Sequence, residues 1–71
     1  MKLPQISGSE LIKILMREGF IVVRQKGSHI RLEKISQDKT IKLTVPNHKV
    51  LKKGTLHHIL IEAEINLADV L

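Results

Sequence analysis

This 71-residue chain has no cysteine, no tryptophan and no tyrosine, and its only aromatic residue is Phe20. Without cysteine there is no disulfide framework and no thiolate metal site. The lack of thiols is compatible with the cytosol and gives no positive case for secretion. A single ring is too few for a module that grips single strands by stacking bases. Any contact with a nucleic acid must therefore run through its backbone and through hydrogen bonds. No apolar run approaches the roughly 18 residues of a membrane span, and Met1–Glu10 lacks the apolar stretch of a signal peptide. The expectation is a cytoplasmic protein with no membrane partner. The chain also lacks a glycine-rich phosphate loop, an H-E-x-x-H pair and closely paired carboxylates. Chemistry on this scaffold is expected to need no metal and no cofactor.

What is present is positive charge, and its placement matters more than its total of +5. Residues 24–53 hold nine of the twelve Lys and Arg but only two acids, Glu33 and Asp38. That segment carries +7 and the remainder −2, with no Lys or Arg beyond Lys53. A charge so concentrated points to a polyanionic partner on the middle of the chain. The length predicts a single domain over 1–71, and a core this small rarely supplies more than about 3–5 kcal/mol of net stability.

Ser7-Gly8-Ser9-Glu10 reads as a capping box. Leu11, Ile14 and Leu15 then recur at helical spacing until Gly19, which predicts a helix over 8–18. Phe20–Gln25 is short and β-branched, a strand, and Lys26-Gly27-Ser28 is a turn. His29–Lys34 and Thr40–Val45 alternate polar and apolar around a polar turn at 36–39, and Pro46 ends the last strand. Asn47–Lys53 is a basic connection. Gly54-Thr55 starts a second helix, whose apolar face is Leu56, Ile59, Leu60 and Ala63. Asn66 caps a last turn containing Leu67, Val70 and Leu71. The order is α-β-β-β-α, an α+β fold with a three-stranded antiparallel sheet and helices on one face. The two-residue period places Ile30, Leu32, Ile41, Leu43 and Val45 toward the helices. His29, Arg31, Lys42 and Thr44 then share the opposite, wet face.

Gly27-Ser28-His29 is the first candidate site. Imidazole is the side chain whose ordinary titration lies nearest neutrality, and cations hold phosphate oxygens. Gly27 accepts positive φ and lets a phosphate approach the backbone. Ser28 offers a hydroxyl or an N–H. His29 can take a proton from a ribose 2′-OH while Lys26 or Arg31 stabilises the charge that forms on phosphorus. On composition alone, a β-turn followed by a surface histidine is the simpler account of the triplet. Pro46-Asn47-His48-Lys49 is the second candidate, with His48 as a further proton carrier or phosphate ligand, or simply a loop histidine. His57 and His58 diverge by about 100° on a helix and cannot share a metal. His58 and Glu62 lie one turn apart and read as a solvated pair. A competing account is a non-catalytic module that binds structured RNA. A DNA-binding accessory subunit ranks last, because Leu56–Ala63 has no Lys or Arg to reach base edges.

Gly19-Phe20, Arg24-Gln25-Lys26-Gly27-Ser28-His29, Val45-Pro46-Asn47-His48, Leu51 with Lys53-Gly54-Thr55-Leu56, and Ile59-Leu60 stand in a characteristic order and spacing. In these the chain resembles the HicA-type (YcfA-like) toxins, from its first helix to Leu71. The resemblance implies a double-stranded-RNA-binding-domain-like fold and an mRNA interferase, an endoribonuclease that cleaves messenger RNA and inhibits translation. It implies His29 as the catalytic residue. Arg24, Lys26, Gly27, Ser28, Arg31, Lys42, His48 and Lys49 are the expected RNA and phosphate ligands. It also implies a HicB-like antitoxin that joins the toxin in a hetero-oligomer and blocks its site. The family often reads Ala-Gly-Ile where this chain has Ala63-Glu64-Ile65, a departure at a helix end. No role carries over to His57 or His58.

Overall fold

Ser7 and Glu10 open the first helix reciprocally. The Ser7 hydroxyl accepts from the Glu10 N–H at 3.1 Å, and the Glu10 carboxylate accepts from the Ser7 N–H at 3.0 Å, as Ser-x-x-Glu predicts. The Ser7 N–H, then the Ser7 hydroxyl and the charge of Lys13, hold the Glu10 carboxyl below the ordinary carboxylate range, against a small opposing effect of desolvation. The contribution of the capping box is therefore fully present above that range and is lost as the pH falls below it, through the lowered titration of Glu10 in the fold.

The computed structural model describes residues 5–69. Its elements are α1 (Gly8–Arg17), β1 (Ile21–Lys26), β2 (His29–Ser36), β3 (Lys39–Pro46), α2 (Lys53–Ala63) and a 3-10 turn at Leu67–Asp69. This is the expected α-β-β-β-α order, consistent with a double-stranded-RNA-binding-domain-like fold. The strands pair antiparallel in the order β1-β2-β3. Boundaries differ from the sequence reading for local reasons. Both hairpin loops are only two residues long, so Lys26 joins β1, and β2 runs on to Ser36 opposite Lys39. Pro46 is the last residue of β3, on a sheet edge where a missing N–H is tolerated. Helix α2 begins at Lys53 rather than Gly54, and its N-cap, Lys52, makes no side-chain cap bond. Asn66 does cap the final turn, its Oδ1 accepting from the Ala68 N–H at 3.1 Å. Val70 and Leu71 lie outside the described residues.

The core sits between one sheet face and the two helices. Ile30 and Leu32 of β2 and Leu43 and Val45 of β3 are buried against Leu11, Leu15, Phe20, Leu56, Ile59 and Leu60. Ile41 is half-buried at its margin. Fully burying one such side chain contributes about 1.5–3 kcal/mol. The helices leave β1 uncovered, and all six of its residues are exposed.

β1 also carries a bulge. Ile21 and Val22 stand opposite Glu33 and Leu32, while Arg24, Gln25 and Lys26 stand opposite Arg31, Ile30 and His29. Val23 is the extra residue. Strict alternation would place Val22, Arg24 and Lys26 on one face. The bulge resets the alternation instead, so Val22 faces the core side with Leu32 while Arg24 and Lys26 turn to the outer face.

Both helices end alike. In α1, Gly19 takes φ +101°; the Phe20 N–H donates to the Leu15 carbonyl and the Gly19 N–H to the Met16 carbonyl. In α2, Glu64 takes φ +60°; the Ile65 N–H donates to the Leu60 carbonyl and the Glu64 N–H to the Ile61 carbonyl. These are Schellman motifs, whose left-handed position favours glycine. Glu64 forgoes that ease but pairs with Lys39 of the β2–β3 hairpin. A left-handed non-glycine residue costs about 1–2 kcal/mol, and an exposed ion pair returns about 0.2–1. Glu64→Gly is therefore expected to stabilise the fold by about 0.5–1 kcal/mol, read from urea unfolding midpoints. A destabilised variant would mean that the Lys39 pair outweighs the backbone strain.

Candidate functional site

The hairpin between β1 and β2 builds the first part of the site. Gly27, at φ +61°, occupies the first of two loop positions, where the turn requires the left-handed region. Gln25 braces it, its Nε2 donating to the Gly27 carbonyl at 3.2 Å. The loop closes on the strand pair Lys26–His29, so the histidine follows directly from the turn.

Pairing across the sheet then sorts the outer face into rows. Lys26 stands opposite His29, and His29 opposite Pro46. Arg24 stands opposite Arg31, and Arg31 opposite Thr44. Ile21 stands opposite Glu33, and Glu33 opposite Lys42. Of the nine cations of the basic segment, Arg24, Lys26, Arg31 and Lys42 share this face with His29. Lys34 points to the core side, its ammonium 5.7 Å from the centre of the Phe20 ring. Lys39 shares that side opposite Ser36, and its ammonium pairs with Glu64.

Arg24, Lys26, His29, Arg31 and Thr44 line an open cleft of about 260 Å³. His29 is exposed, and its ring has no hydrogen-bond partner among the described residues. Its neighbours in the cleft are cations and one hydroxyl, with no carboxylate. The arrangement can attract a phosphodiester and present it with an imidazole free to accept a proton. Among the described residues no three His, Asp or Glu side chains converge as metal ligands.

A second set of backbone contacts ties the Pro46-Asn47-His48 connection to this hairpin. The Asn47 N–H donates to the Ser28 carbonyl at 2.6 Å, and the Gly8 N–H donates to the His48 carbonyl at 2.8 Å. Gly8 is buried so closely here that a Cβ would lie 2.3 Å from the Pro46 carbonyl oxygen and 2.8 Å from the Asn47 Cα. The two sequence motifs thus meet at the start of α1. His48 and Lys49 are exposed on that connection but do not line the His29 cleft. Lys42 lies on the same sheet face but outside this cleft.

Lys42 instead lines a neighbouring groove of about 560 Å³ between the sheet and α2, with Arg31, Thr44, Thr55, His58, Ile59 and Glu62. His58 Nε2 lies 2.8 Å from a Glu62 carboxylate oxygen one turn along α2. The sequence places Thr44 on the right face without giving it a role, and His58 and Glu62 form the exposed pair it leads one to expect. Helical spacing signalled the pair, but only packing shows that it faces Arg31 and Lys42.

No helix among the described residues is long and apolar enough to cross a membrane. No curated protein and no solved structure matches the chain significantly. The family model described as HicA toxin of bacterial toxin-antitoxin matches residues 8–65, which takes in both helices, the sheet and the cleft around His29. The chain belongs to the HicA toxin family, the toxin half of a toxin–antitoxin pair whose partner is an antitoxin.

Proposed function

We propose that the protein is a metal-independent endoribonuclease that cleaves messenger RNA in the cytoplasm and so inhibits translation, with His29 as its general base. One observation carries the reading: His29 stands open to solvent in a cleft whose other walls are Arg24, Lys26, Arg31 and Thr44. The cations draw the RNA backbone onto the sheet face and seat the scissile phosphate. Neutral His29 accepts the proton of the adjacent 2′-OH, and the 2′-oxygen attacks phosphorus in line. The P–O5′ bond breaks, and the 5′-oxygen takes up a proton and leaves as a hydroxyl. A 2′,3′-cyclic phosphate remains on the other fragment. Arg24, Lys26 and Arg31 offset the charge that builds on the phosphoryl oxygens. Gly27 and Ser28 of the adjoining turn, with His48 and Lys49 on the connection that bonds to Ser28 through Asn47, take neighbouring phosphates.

The partner is a HicB-like antitoxin. A surface of matching negative charge over the outer sheet face would exclude RNA and speed association, and the complex would stabilise the toxin by mass action.

A single 2′-deoxy sugar at a mapped cleavage position is expected to stop cutting there while the oligonucleotide still binds. Chelator is expected to leave the rate unchanged. Cutting at the deoxy position would assign the reaction to another nucleophile, and loss of activity in chelator would assign it to a metal. The second reading, a structured-RNA-binding module without catalysis, draws support from the absence, among the described residues, of any carboxylate holding the His29 ring. In that case labelled RNA shifts in mobility but stays whole.

A further inference from the structure

The groove beside α2 differs in chemistry from the cleft around His29. The sheet supplies two cations, Arg31 and Lys42, and the helix supplies the Thr55 hydroxyl, the His58 imidazole and the Glu62 carboxylate, with Ile59 as an apolar wall. The two openings share Arg31 and Thr44, so they form one continuous trough across the outer face. Residues two apart on a strand are separated by about 7 Å, comparable to one backbone step of an extended nucleic-acid chain. A strand seated with one phosphate at His29 therefore has its next nucleotide over Arg31 and Thr44, facing α2.

Charge distinguishes the two halves of the trough. The His29 half has only cations and a hydroxyl, which suits a phosphate. The α2 half sets a carboxylate against two cations, which suits a phosphate poorly on the Glu62 side. It suits a base edge, where amino groups donate and ring atoms accept. One Glu62 carboxylate oxygen lies 2.8 Å from His58 Nε2, and a carboxylate has further lone pairs with which to accept other donors. His58 and Thr55 line the same groove. Sequence-selective contact with single-stranded RNA is made through hydrogen bonds to base edges of this kind.

We infer that this groove is a nucleotide subsite. It receives the nucleotide adjoining the scissile phosphate, holds its backbone with Arg31 and Lys42, and selects a base bearing an exocyclic amino group through Glu62, with His58 and Thr55 as further contacts. The inference rests on the ribonuclease reading above and adds base selectivity to it.

The test is cleavage of a randomised RNA pool by the parental protein, Glu62→Gln and His58→Ala, with sequencing of the ends. Glu62→Gln keeps the size of the side chain but replaces one acceptor oxygen with a donor amide. Base preference at one fixed position beside the cut is expected to fall or switch by roughly 5- to 100-fold. His58→Ala is expected to weaken it at the same position and no other. An identical preference in all three proteins, with cleavage intact, would overturn the subsite and leave the ribonuclease reading standing. No cleavage by the parental protein would remove both.

Discussion

On the proposed mechanism, His29→Ala protein is expected to cleave RNA at least about 10²-fold more slowly than the parental protein, the minimum for removing a general base. The loss is confined to chemistry for physical reasons. Arg24, Lys26 and Arg31 still line the cleft, so the proposed binding of RNA and its salt dependence are expected to persist. The ring has no hydrogen-bond partner among the described residues and is exposed, so stability stays within about 0.5 kcal/mol of the parental value. Rate, affinity and unfolding midpoint measured on one preparation separate the three quantities. Expression in cells gives a second readout, since the variant is expected to be harmless. A variant that cuts RNA at the parental rate would take His29 out of the mechanism.

Gly8→Ala is the largest expected effect on folding. The new methyl would meet the Pro46 carbonyl oxygen at 2.3 Å and the Asn47 Cα at 2.8 Å. Both are backbone atoms, with no flexible side chain to swing away. Either α1 or the connection must move, and the 2.8 Å bond from the Gly8 N–H to the His48 carbonyl is then lost. Overpacking costs about 1–3 kcal/mol and a lost hydrogen bond about 1 more. A core this small has only about 3–5 kcal/mol to lose, so much of the variant is unfolded at ambient temperature. Gly54→Ala is the internal contrast. A Cβ there meets nothing within 4 Å, and alanine is the better helix former by up to about 1 kcal/mol. Circular dichroism melts should move in opposite directions for the two variants. A Gly8→Ala protein that melts with the parental one would show that α1 and the connection part at little cost.

Gly19 and Gly8 differ in how legible they are from the sequence. Gly19 announced a helix end, because a glycine after an amphipathic stretch is a common stop signal. The equivalent stop in α2 was hidden, since Glu64 occupies the left-handed position and nothing in a glutamate suggests it. Gly8 lay inside a capping box that already accounted for it. Its close approach to residues 46–48 is a long-range contact with no local signature. The alternation of β2 and β3 correctly put His29, Arg31, Lys42 and Thr44 on one face, because a period of two follows from strand geometry alone. The same rule applied to β1 fails at Val23, where one unpaired residue shifts Arg24 and Lys26 to the His29 side. The groove beside α2 was illegible for a related reason: it joins residues of β2 and β3 to a helix, and their meeting is a matter of packing.

Placing Arg24 directly across from Arg31 has a thermodynamic consequence. Two guanidinium groups on neighbouring strands repel, and such a pair weakens the sheet that holds it. The unbound fold therefore stores a self-repulsion that unfolding relieves. Any polyanion lying between the two arginines cancels it, so the free energy of folding and that of ligand capture become one linked quantity. On the proposed reading, some intrinsic thermostability of the outer sheet face is given up in exchange for grip on RNA.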